Sequence, residues 1–163
     1  MYEAIVGIDP GLKGGLSILL LTDNGSLVPD AARSIPYGLD EYLRELKEAI
    51  AISSCNNGVL VAIEQVHSMP KQGVASTFKF GEQFGILKGL CMGLGVKFIT
   101  ITPQEWKRGM GLLHQDKGAS IALAKKLFPG ANLRPSARCR KDSDGMAESL
   151  LIAEYARRKL CGS

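Results

Sequence analysis

The chain has 163 residues, 45% of them hydrophobic and 22% charged, and its 20 basic and 16 acidic side chains leave a net charge of +4. That length suits a single domain with its own core, and no stretch reaches the ~20 apolar residues needed to span a bilayer. Four scattered cysteines (Cys55, Cys91, Cys139 and Cys161), without a CxxC pair and with only His67 and His114 beside them, argue against a zinc site and for a reducing compartment.

Tyr2 to Ile8 is apolar and β-prone, and it reads as a buried strand rather than a secretory signal because it carries Glu3 and stops at Asp9. Pro10-Gly11 turns the chain, and Leu16 to Leu21 fits the return strand of a hairpin. Thr22 to Ser26 is turn-like, and a short strand is expected near Arg33 to Ile35. Leu39, Tyr42, Leu43, Leu46, Ala49 and Ile50 recur at helical spacing and predict a helix over 39–54. Val59 to Ile63 is another buried strand, followed directly by Glu64. His67 to Gly73 is a loop by composition. A helix is expected from Ala75 to Leu94, seamed by Gly81, Gly85, Gly89 and Gly93, each costing up to ~1 kcal/mol against alanine. The ordinary use of such a seam is close packing against another helix or the sheet; the same helix, 75–94, is also the candidate surface for a second copy of the chain.

Val96 to Ile101 is a strand, and Thr102-Pro103 caps and opens a short helix in which Trp106 belongs to the core. Asp116 to Phe128 reads as an amphipathic helix and 131–143 as an irregular basic loop. Ser143 or Asp144 starts a last helix that reaches about Leu160. The expected fold is therefore α/β, a mixed five-stranded sheet flanked by helices, opened by antiparallel strands and continued through crossovers.

Two carboxylates, Asp9 and Glu64, end core-like strands that are expected to lie side by side. A third group, Asp142, Asp144 and Glu148, opens the last helix, where residues four apart share a face and Asp144 and Glu148 can point together. Carboxylates gathered this way repel unless cations neutralise them, and hard oxygen ligands favour Mg²⁺ or Mn²⁺. Two such ions about 3.5–4 Å apart can drive phosphodiester cleavage.

The runs Ile8-Asp9-Pro10-Gly11, Ile63-Glu64-Gln65 and Asp144-Gly145-Met146-Ala147-Glu148 through Ala153 resemble the RuvC family of Holliday junction resolvases, especially the phage and bacterial RuvC-like proteins and the chloroplast resolvases. Met69-Pro70-Lys71-Gln72-Gly73 and Thr102-Pro103-Gln104-Glu105-Trp106-Lys107 are similar to the same group. The resemblance implies an RNase H-like fold in one nuclease domain over 1–163, a homodimer, and Mg²⁺-dependent symmetric nicking of four-way DNA junctions. It makes Asp9, Glu64 and Glu148 metal ligands. Bacterial RuvC has two aspartates three apart on its last helix, whereas three before Glu148 stands Gly145. Asp144 is the natural substitute, ahead of Asp142.

Around these acids, Lys71, Gln72, Ser76 and Lys79 are expected to touch DNA phosphates. Phe78 or Phe80 can stack on an unpaired base or pack under the helix. Lys107 and Lys117 border the same rim. Arg134, Arg138, Arg140 and Lys141 form the best-motivated phosphate-binding segment, because they lead straight into the acidic helix. Arg157, Arg158 and Lys159 are better read as cations favoured at a helix C-terminus. The expected setting is the cytoplasm of a bacterium or phage-infected cell, with an organelle as the other possibility. The competing readings are an RNase H-type or other structure-selective nuclease, a junction-binding protein without cleavage, and a sugar kinase of actin-like fold, for which the chain offers little room.

Overall fold

The computed structural model describes residues 2–28, 32–53, 58–65, 73–116 and 118–161. Strands β1 (Ala4–Asp9), β2 (Gly15–Leu20), β3 (Arg33–Pro36), β4 (Val59–Glu64) and β5 (Lys97–Ile101) form one sheet in the order β3-β2-β1-β4-β5. β1 pairs antiparallel with β2, and β2 with β3; β1 pairs parallel with β4, and β4 with β5. A short turn joins the antiparallel strands β1 and β2, whereas the parallel step from β4 to β5 is made through a helix. The helices are α1 (Leu39–Ile52), α2 (Val74–Leu94), α3 (Pro103–Gly109), α4 (Gly118–Leu127) and α5 (Asp144–Cys161).

Strand periodicity sorts the core into two layers. Val6, Ile8, Val61 and Ile63 point to one face and pack with Tyr42 and Leu46 of α1 and Leu87 and Cys91 of α2. Ile5, Leu60 and Ala62 point to the other, with Trp106 of α3 and Leu150, Leu151 and Ala153 of α5. Asp9 has the parity of Ile5 and Gly7, and Glu64 that of Leu60 and Ala62, so both carboxylates belong to the α5 face.

Helix α5 lies directly on the sheet because glycines leave it room. A Cβ added at Gly7 would stand 2.1 Å from the Ser149 carbonyl oxygen, and one at Gly145 would stand 2.0 Å from that of Lys13. Buried hydroxyls fasten the helix in place: Ser17 of β2 lies 2.9 Å from Ser34 of β3 and 2.6 Å from Ser149, while Ser34 and Ser149 both donate to the Met146 carbonyl. Ser143 caps the helix, its hydroxyl accepting from the Met146 N–H. Asp116 is likewise a cap, accepting from the N–H groups of Gly118 and Ala119, so α4 starts two residues later than its pattern predicts. At the far end of α5, Arg157 and Arg158 both bind the buried Glu154, and Lys159 binds Glu105, which gives that basic cluster a structural role.

One expectation is overturned. The glycine seam of α2 packs against no other element of the described chain: a Cβ added at Gly81, Gly85, Gly89 or Gly93 meets nothing within 4 Å. The helix turns Gln83, Leu87 and Cys91 inward and the seam outward. Among the described residues no helix is long and apolar enough to cross a membrane.

Candidate active site

The parallel register of β1 on β4 runs to Ile8 opposite Ile63, which sets Asp9 and Glu64 next to each other at the strand ends. The opening turn of α5 faces them. Asp9, Glu64, Asp144 and Glu148 all line one cavity of about 490 Å³, together with the turn from Gly11 to Gly14. The opposite wall is α2, through Ser76, Lys79, Phe80 and Gln83, which share one face by their three- and four-residue spacing.

Each acid is held by a neighbouring element. The Trp106 indole N–H donates to Glu64 at 2.8 Å. Glu148 accepts from Ser120 of α4 and pairs with Lys107, both at 3.2 Å. The Gly11 N–H donates to Asp9 at 3.3 Å. Burial raises the Asp9 pKa to about 7, and the negative charges of Glu64 and Glu148 add to it against the smaller opposing effects of Gly11 and Lys107. Burial also raises Glu64; the Trp106 hydrogen bond opposes the rise, Glu148 reinforces it and Lys107 opposes it. Three mutually repelling carboxylates thus share one lysine. Their oxygens are the hard donors that divalent cations take. Among the described residues no three acid, histidine or cysteine side chains close into a ready-made metal cage; the acids are spread around a cavity instead. Mg²⁺, which keeps several of its waters and binds through few carboxylates, suits such an open arrangement.

Of the expected residues, Ser76, Lys79 and Lys107 stand at this cavity or pair with its acids. Phe80 lines the wall, whereas Phe78 is 71% exposed, so it does not pack beneath α2. Asp142 is engaged by Lys125 at 2.5 Å and is absent from the lining of the acidic cavity, which leaves Asp144 as the fourth carboxylate there. Arg134, Arg138, Arg140 and Lys141 are exposed on the loop before α5. Pro135 of that loop lines a groove with Lys13 and Asp144, so the basic segment adjoins the acidic rim. Lys71, Gln72 and Lys117 lie outside the described residues.

Lys13, Gln83, Ser120 and the polar role of Trp106 escape a reading of the sequence. Gln83 is legible afterwards, seven residues after Ser76 and four after Lys79. Nothing local marks Ser120 or the indole N–H, because their partners come from distant parts of the chain.

No protein-family model matches the chain. Over 89 residues, 54% of this chain, it is 35% identical to the chloroplastic Holliday junction resolvase MOC1 of Chlamydomonas reinhardtii; the match spans about 10% of that protein's length. The fold is that of RuvC. The structure of Thermus thermophilus RuvC superposes with a TM-score of 0.61 at 19% identity, covering 98% of this chain and 96% of that one. A T. thermophilus RuvC structure with a Holliday junction substrate gives 0.59 at 16% identity with the same coverage. The yeast mitochondrial Holliday junction resolvase Ydc2 gives 0.62 at 13% identity, covering 94% of this chain and 77% of that one.

Proposed function

We propose that this chain, built on the RuvC-like fold, is a metal-dependent nuclease domain that resolves four-way DNA junctions by paired symmetric nicks. The observation that carries the reading is the convergence of Asp9, Glu64, Asp144 and Glu148 from three elements on one cavity with a basic rim. Asp9, Glu64 and Glu148 would hold Mg²⁺ or Mn²⁺, with Asp144 completing the set. Two such ions supply an activated water and stabilise the leaving oxygen in phosphodiester cleavage.

The protein's own residues orient this chemistry. Trp106 fixes one oxygen of Glu64, and Ser120 fixes Glu148. Lys107, now paired with Glu148, is within reach of a phosphate drawn to the same acids. Lys13 and Lys79 line the cavity that a scissile phosphate would enter, and Arg134, Arg138, Arg140 and Lys141 extend the positive track along the backbone. Lys71, Gln72 and Lys117 are assigned to the same role by sequence position. Phe78, exposed beside this wall, offers a ring on which an unpaired base can stack.

A junction has near-twofold symmetry, so paired cuts call for two sites related by a twofold axis. The glycine seam of α2, with the exposed Ile86 and Met92 beside it, is the surface we assign to a second copy.

The decisive experiment offers the protein a mobile four-way junction, a linear duplex and an RNA/DNA hybrid, each with Mg²⁺ and with a chelator. Paired nicks in the junction alone, lost in Glu64→Gln while binding persists, are expected. Cleavage of the hybrid instead would make this an RNase H-type enzyme, and tight junction binding without cutting in Mg²⁺ or Mn²⁺ would leave a binding protein.

A further inference from the structure

A second cavity, of about 350 Å³, lies beyond the acids and shares Asp144 and Glu148 with the first. Its other polar lining comes from Lys107, His114, Gln115, Ser120 and Asp116, the last accepting from the N–H groups of Gly118 and Ala119. The two carboxylates therefore stand between two chambers, one walled by α2 and the other by the loop from α3 to α4. A strand whose scissile phosphate sits on the acids must place one neighbouring nucleotide on each side. The volume of the second chamber lies within the range of small-ligand sites.

His114 is the feature of this chamber that packing does not explain. It is exposed, with φ at 63°, and is the one non-glycine residue with positive φ among the described residues. The Gln115 N–H donates to the Leu112 carbonyl at 3.1 Å, which closes a four-residue turn with His114 third. That position ordinarily takes glycine or asparagine. Three residues earlier the same loop does use glycine for the left-handed region, at Gly111 with φ 71°. An exposed imidazole kept where glycine would be relaxed, at the mouth of a polar chamber bounded by the candidate catalytic carboxylates, is the pattern of strain retained for function.

We propose that this chamber holds the nucleotide flanking the scissile phosphate on the side away from Phe80, and that His114 contacts its base and so helps choose where the strand is cut. Lys107 serves the backbone of the same nucleotide. The assignment rests on the nuclease reading and adds to it a residue that selects sequence.

The test compares wild type with His114→Gly and His114→Asn on four-way junctions in which the base pairs on either side of the cut are varied, and melts each protein in parallel. His114→Gly relaxes the turn but frees the unfolded chain, two effects that offset, so it is expected to melt close to wild type. It should nevertheless lose about tenfold in kcat/KM, the scale of one base contact, and its cuts should spread over flanking sequences that wild type discriminates. His114→Asn, which tolerates the left-handed turn and keeps hydrogen-bonding groups, should recover part of both. Unchanged rate and cut pattern in His114→Gly would overturn the subsite alone. A lower melting temperature in both His114→Gly and His114→Asn would also overturn it, because His114 would then be holding the loop together. Wild type that cuts no junction, while Glu64→Gln behaves identically, would overturn the nuclease reading and the subsite with it.

Discussion

In the proposed nuclease the chemistry turns on Asp9, whose carboxyl is held near a pKa of 7 in place of its ordinary 3.8 by burial and by the charges of Glu64 and Glu148. The sign of the consequence is definite. Between those two values the native state keeps a proton that the unfolded chain has released, so native stability on account of Asp9 is complete below about pH 4 and falls away as pH rises through 7. Asp9→Asn removes that dependence. In chelator at pH 8 the variant should be the more stable protein, by about 1–3 kcal/mol, and the difference should vanish near pH 4. Added Mg²⁺ should raise the melting temperature of wild type and leave Asp9→Asn little changed. Denaturant midpoints across pH, with and without metal, measure this; a wild type that outlasts the variant at pH 8 in chelator would contradict it. Trp106 supplies a second check. Trp106→Phe keeps most of the packing but leaves one half-buried Glu64 oxygen without its donor. It should therefore raise the Mg²⁺ concentration needed for half-maximal cutting more than it lowers the saturated rate.

At the scale of elements, the helix that carries Asp144 and Glu148 is set by backbone contact and buried hydroxyls. Position 145, three before Glu148, shows why no carboxylate stands at that spacing. Its Cβ direction runs into the turn after β1, 2.0 Å from the Lys13 carbonyl oxygen and 2.4 Å from the Gly14 Cα. Gly145→Asp is expected to destabilise by about 1–3 kcal/mol through overpacking, and it should not restore cleavage to an Asp144→Asn background. Restored cleavage in the double variant would mean that position along the helix matters more than the packing of its first turn. The strand-end acids were legible in the sequence because a buried apolar run has little structural use for a charged residue at its end, and alternation along β1 and β4 then puts Asp9 and Glu64 on one face. The pairing of Asp144 with Glu148 followed from helical spacing. The α2 seam misled, because a glycine every fourth residue records only that backbone is bare; whether anything comes to cover it depends on which side the helix turns inward, and Gln83, Leu87 and Cys91 decide that. The supports from Trp106 and Ser120 left no local trace, since each bridges segments 42 and 28 residues from its acid.

For the whole molecule, a net charge of +4 is too small to bind DNA by bulk attraction, so the placement of the cations has to matter. Arg138 and Arg140 are exposed on the loop that runs into α5, beside the rim formed by Lys13 and Asp144. Removing one cation from a DNA phosphate should lower the slope of log K against log salt by about 0.9 on duplex DNA. Neutralising both arginines is therefore expected to flatten the slope by roughly 1–2 and to weaken junction and duplex binding alike, without changing where the junction is cut; an unchanged slope would remove the loop from the interface. The outward side of α2 is bare, with Ile86 and Met92 exposed beside four open glycines. If a second copy covers it, an aspartate at Ile86 should yield monomers in sedimentation while leaving the thermal melt of each chain nearly intact, because Ile86 contributes little to the core. The junction products then distinguish assembly from chemistry. Such a monomer keeps its complete set of carboxylates and should still nick one strand, but the coordinated second nick across the junction should be lost. Paired nicks from a protein that sediments as a monomer would place the twofold partner elsewhere on the surface.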